Sequence, residues 1–75
     1  MITKAQARYT EGTKVEVFTY DIRQGGRTWQ PGAVERVDVA GEKFIDVVVR
    51  MADDYRIPVR LGPRGAAKNV IRIVG

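Results

Sequence analysis

The chain has 75 residues, carries a net charge of +4 and contains neither cysteine nor histidine. Such a length supports one domain, and chains this small bury only about 60% of their unfolded surface, so the core is a single thin layer. The missing Cys and His remove disulfide staples, thiolate chemistry, the usual zinc ligands and the commonest general base, so no catalytic residue, metal site or cofactor is expected.

Residues 1–11 are polar, with Ala5 and Ala7 among them, and read as an arm, either frayed or one turn of helix, ahead of a domain over 12–75. They lack the apolar centre of a signal peptide, and no run in the chain approaches a membrane span. Small secreted domains usually carry disulfides, so a cytoplasmic, reducing location is expected, with no membrane partner.

A first strand is expected over 14–20, where Val15 and Val17 alternate with Lys14 and Glu16. Continued alternation puts Phe18 and Tyr20 on the wet side, with Lys14 and Glu16. A loop over 21–28 follows, with turn chemistry in Gln24-Gly25-Gly26. The second strand is expected from Trp29 to about Val39. Its apolar positions change parity between Val34 and Val37, which points to a bulge near Glu35-Arg36.

After a tight turn over 40–43, residues 44–51 form a third strand that is apolar on both sides at Val47-Val48-Val49, as a central strand would be. Asp53-Asp54 makes the next turn. Tyr55, Ile57, Val59 and Leu61 then alternate with Arg56, Pro58 and Arg60, which places Tyr55 in the core. Pro58 cannot donate to a ladder, so this strand is expected to be exposed on one edge or bulged there. Gly62-Pro63-Arg64-Gly65 ends that strand, residues 66–69 suit one turn of 3-10 helix, and 70–74 form a last short strand.

Five strands, a long first loop and a single 3-10 turn before the last strand predict an all-β fold, a small five-stranded SH3-like barrel. An oligonucleotide-binding barrel is the alternative, but it needs a helix between its third and fourth strands for which there is no room. Gly12-x-x-Val15-Glu16-Val17, followed by Gly26-x-x-Trp29-x-Pro31-Gly32-x-Val34-x-x-Val37, resembles the opening of a Tudor or Agenet domain of the SH3-like Royal group. Asn69-Val70-Ile71-Arg72 is similar to that family's closing strand, and Gly32 stands where the family often has alanine.

The resemblance implies an aromatic cage for a methylated lysine or arginine, held by cation–π attraction. Phe18, Tyr20 and Trp29 lie near the positions where that family draws its cage walls, Phe44 could add a further wall from the third strand, and Glu16, Asp21 or Asp46 would supply the closing acid. Without the resemblance, these aromatics still mark a binding surface.

Charge points to a different ligand. Residues 1–54 hold eight Lys/Arg against nine Asp/Glu, whereas 55–75 hold Arg56, Arg60, Arg64, Lys68 and Arg72 with no acid. A basic block of this kind attracts phosphates. Three readings follow. The first is a nucleic-acid module, DNA or RNA, whose phosphates meet those five cations while Phe18, Tyr20 and Trp29 stack bases. The second is a protein- or peptide-binding module using the Trp29 surface. The third is a subunit of a small oligomeric reductase. Gly26-x-x-Trp29-Gln30 and Ala66-Ala67…Ile71 are similar to a plasmid-borne dihydrofolate reductase with an SH3-like barrel, although that class has Val-Gln-Ile-Tyr where this chain has Tyr55-Arg56-Ile57-Pro58. The edge implied by Pro58 allows a monomer or a weak homodimer.

Overall fold

The structure is a computed structural model and describes residues 2–65 and 70–74. Five strands, β1 (Lys14–Asp21), β2 (Gly26–Ala40), β3 (Phe44–Met51), β4 (Arg56–Leu61) and β5 (Ile71–Ile73), form one antiparallel sheet in the order β4-β3-β2-β1-β5. A one-turn helix, α1 (Lys4–Ala7), precedes the sheet, and a 3-10 turn over Ala52–Asp54 joins β3 to β4.

The all-β expectation holds, but the sheet is not closed into a barrel, and β4 and β5 are its edges. β5 spans three residues and Pro58 removes a donor from β4, so neither edge presents a long run of free ladder bonds to the other. The 3-10 turn expected ahead of the last strand falls on residues 66–69, outside the described residues. The 3-10 turn seen here stands where Asp53-Asp54 was expected to reverse the chain. Asp53 and Asp54 have φ of 62° and 58°, a left-handed conformation that Asp tolerates better than most residues.

One face of the sheet makes the core. Val15 and Val17 of β1, Val34 of β2, Ile45, Val47, Val49 and Met51 of β3, Val59 and Leu61 of β4 and Ile71 of β5 form one buried cluster. Burying each such side chain contributes about 1.5–3 kcal/mol relative to leaving it exposed. Val48 points the other way and is buried too, as expected for a central strand. The parity change in β2 is a register shift between Val34 and Arg36, which keeps Val34 and Val37 both opposite inward residues, Val49 and Val47.

The N-terminal arm is helical rather than frayed. Thr3 caps α1: its hydroxyl accepts from the Gln6 N–H at 3.2 Å, and Gln6 Oε1 accepts from the Thr3 N–H at 3.0 Å. Gln6 is 1% exposed and Tyr9 joins the core cluster. Burial pushes the Tyr9 hydroxyl above its ordinary pKa.

Two expectations are corrected. The first loop is short, because the β1–β2 ladder runs on to Asp21 opposite Gly26 and leaves only residues 22–25 as the turn. Polar Arg27 and Thr28 are ladder residues, since a two-stranded ribbon satisfies its own backbone and needs no apolar face there. At the turn, the Asp21 carbonyl accepts from the Gly25 N–H at 2.9 Å, with Gly25 at φ +69°.

Tyr55 is the second correction. It is 64% exposed rather than in the core. Met51 fills the core at that end, and the left-handed pair before Tyr55 delivers the chain to β4 only at Arg56.

Candidate functional site

The β1–β2 register decides which aromatics meet. Phe18 stands opposite Trp29, and Tyr20 opposite Arg27. Directly opposed residues share a face of the sheet, so all four lie on the outer side, away from the core. The Phe18 and Trp29 ring centroids are 5.3 Å apart with planes at 55°. Both rings are half-buried, whereas Tyr20 is 60% exposed and Arg27 is exposed. Phe44 is not part of this group. It pairs with Ala40 at the far end of β2 and lies beside Gly62, because its ladder position places it at the opposite end of the longest strand.

β5 adds to the same face. Arg72 stands opposite Glu16, and its Nε donates to Glu16 Oε1 at 2.8 Å. Its guanidinium carbon lies 4.0 Å from the Trp29 ring centroid. Trp29 therefore already has a cation on its ring, held in place by a carboxylate. A methylammonium entering there would have to displace Arg72, so the cage implied by the resemblance lacks one open wall. Of the three candidate closing acids, Glu16 is held by Arg72 and Asp46 by Arg60, while Asp21 Oδ1 accepts the Arg23 backbone N–H at 2.9 Å.

Folding also rearranges the charge pattern. Arg56 makes two hydrogen bonds to the Glu35 carboxylate, at 2.6 and 2.9 Å. Arg60 makes two to Asp46, at 2.9 and 3.1 Å. The Arg56 hydrogen bond holds Glu35 below the usual carboxylate range, and Arg60 does the same for Asp46; both guanidinium groups are raised in turn. Three of the five cations expected to contact phosphate are thus paired with acids from earlier strands. Arg64 is exposed on the turn after β4 and in no ion pair among the described residues, and Lys68 lies outside them.

The sequence reading missed Arg23 and Arg27. Both are exposed on the hairpin, flank Tyr20 and Ile22, and enter no ion pair among the described residues. Ile22 is 84% exposed at the turn. The available signal was the run Tyr20-Asp21-Ile22-Arg23-Gln24-Gly25-Gly26-Arg27, which has two arginines against one acid.

An open depression beside the bulge is lined by Glu11, Gly12, Ala33, Val34, Glu35 and Arg50. Its Glu35 is locked to Arg56 and kept ionised, which suits it poorly to taking and returning a proton. The Tyr55–Pro58 segment, compared above with the reductase, lies on the exposed edge of β4, with Arg56 held by Glu35. Among the described residues there is no cluster of acidic side chains that could hold a metal ion, and no helix is long and apolar enough to cross a membrane. Comparisons of the chain with protein-family models, curated proteins and solved structures find no match.

Proposed function

We propose that this chain is a non-catalytic, SH3-like binding module that holds single-stranded nucleic acid on the outer face of the β1–β2 hairpin. The observation that carries this reading is where unpaired cations and open aromatic surface coincide. Arg56, Arg60 and Arg72 are each bound to a carboxylate, whereas Arg23 and Arg27 enter no ion pair among the described residues; Arg27 stands opposite exposed Tyr20, next along the ladder from the Phe18–Trp29 pair, and Arg23 is on the adjoining turn. Bases stack on the rings, and the arginines follow the phosphates. The strand order and the Gly12-to-Val37 motif support the SH3-like, Tudor-like assignment, while the Arg72–Trp29 contact counts against a methyl-group cage.

Fluorescence anisotropy with labelled single-stranded DNA and RNA at low salt tests this. Tyr20→Ala is expected to weaken binding by about 1–3 kcal/mol, the usual worth of one stacked base. Arg27→Gln should lower the salt slope by about 0.7, the contribution of one phosphate contact on a single strand. Arg60→Gln should change affinity far less. Absence of binding at low salt would sink the proposal, and so would an Arg60→Gln loss equal to that of Arg27→Gln.

A protein or peptide partner is the second reading of the same face. The exposure of Ile22, Val70 and Val74 favours it, since the Phe18 N–H donates to the Val70 carbonyl and sets Val70 beside that ring. Binding that is insensitive to salt and requires Val70 would support this reading instead.

A further inference from the structure

We infer that the end of the molecule opposite the hairpin is a second phosphate-binding surface, so that one chain joins two nucleic-acid segments. The inference rests on the proposed hairpin site for the first segment. The side chain of Gln6 is buried at this end of the molecule.

Gln6 Nε2 donates to the Lys43 carbonyl at 2.8 Å and to the Leu61 carbonyl at 3.2 Å. The Thr3 hydroxyl donates to the Pro63 carbonyl at 2.7 Å. These bonds tie α1, the β2–β3 turn and the turn after β4 into one unit. Lys4 and Arg8 on the first, Lys43 on the second and Arg64 on the third are all exposed and enter no ion pair among the described residues. Glu42, beside Lys43, is the acidic side chain on these three segments. The three tied segments thus carry four exposed cations and one carboxylate.

The distribution of pairing makes this end distinct. Among the described residues the five ion pairs, Arg36–Asp38, Arg50–Asp54, Arg56–Glu35, Arg60–Asp46 and Arg72–Glu16, lie along the strands or at the β3–β4 reversal. Unpaired arginines and lysines, Lys14 aside, are left at the hairpin and at the α1 end. Those regions adjoin opposite ends of β2, in a molecule 39 Å long. At physiological salt, charge is screened over about 8 Å, so two patches this far apart act as separate sites rather than as one field. Neither has the convergent polar groups of a small-molecule pocket, and both are open surfaces suited to a polymer backbone.

The test is a bridging assay. An immobilised oligonucleotide captures the full chain, and a fluorescent second oligonucleotide is then added. The wild type is expected to retain the second strand. Lys4→Gln/Lys43→Gln/Arg64→Gln, confirmed as folded by circular dichroism, should be captured with affinity within about threefold of wild type but should retain at least tenfold less second strand. Its phosphate contacts should also disappear from the salt dependence of retention, at about 0.7 per contact. Wild type that is captured, with capture weakened by Tyr20→Ala and Arg27→Gln, but retains no second strand overturns the second site and leaves the hairpin reading standing. Equal retention by the triple variant overturns it too, and sedimentation showing a dimer would then name self-association as the bridge. Failure of the wild type to be captured at all overturns the hairpin reading and, with it, this inference.

Discussion

Gly32→Ala is expected to destabilise the fold. A Cβ on Gly32 would lie 2.7 Å from Val49 Cγ1, 2.8 Å from Met51 Sδ and 3.0 Å from the Arg50 carbonyl oxygen. Gly32 stands opposite Met51 in the β2–β3 ladder, and Met51 is 8% exposed, its thioether filling the volume a side chain would need. Met51 can bend away, but Val49 is fully buried at 0% exposure and the Arg50 carbonyl belongs to the ladder, so two of the three contacts resist movement.

Forcing extra volume into a packed site costs typically about 1–3 kcal/mol. Against this, alanine restricts the unfolded chain and recovers about 0.4–1 kcal/mol where the native backbone suits it, as Gly32 does without a positive φ. Midpoints of about 2 and about 0.7 kcal/mol leave a net loss of about 1.3 kcal/mol, which for a domain of this size lowers Tm by roughly 5–10 °C. Thermal unfolding followed by circular dichroism measures it. A Gly32→Ala protein that melts at or above the wild-type temperature would refute the reasoning and would mean that the β2–β3 packing at this end is looser than described.

Two further outcomes follow from the hydrogen bonds. Gln6→Leu should cost about 1–3 kcal/mol, the penalty for stranding buried polar groups, because it removes the donor to the Lys43 and Leu61 carbonyls and the acceptor for the Thr3 N–H; urea unfolding reads the loss, and an unchanged midpoint would show that the α1 clasp carries no stability. Acid should also weaken the fold through Glu35 and Asp46. Their folded pKa values lie below the ordinary 4.5 and 3.8, so their contribution is complete above those values and disappears as pH falls through the lowered ones. Glu35→Gln/Asp46→Asn should therefore lose less stability than wild type between pH 6 and pH 3 in urea melts; an identical acid limb would deny the pairs any role.

Much of the sheet could be read from residue order alone. The parity of Val15 and Val17 placed Phe18 and Tyr20 outward, Val47-Val48-Val49 marked a strand buried on both faces, and the switch between Val34 and Val37 located the bulge. Each is a local signal, since alternation along a strand reports which face is wet. Tyr55 misled because parity extends only as far as the ladder does, and the left-handed Asp53-Asp54 pair ends it one residue earlier. Arg27 and Thr28 are polar yet belong to the ladder, because a ribbon standing clear of the core can be polar on a face and still pair its backbone.

The candidate site divides in the same way. Sequence by itself determined an all-β chain without Cys or His, an outward aromatic pair on the first strand and an excess of arginine in the last third. Only the tertiary structure decided which of those arginines have their charge met. Strand neighbours set Glu35 beside Arg56, Asp46 beside Arg60 and Glu16 beside Arg72, across 21, 14 and 56 residues of chain. A charge count along the chain cannot see such pairing, because Coulomb attraction depends on distance in space and not on separation in sequence. The same folding leaves Arg23 and Arg27, in no ion pair among the described residues, on the hairpin that carries Tyr20.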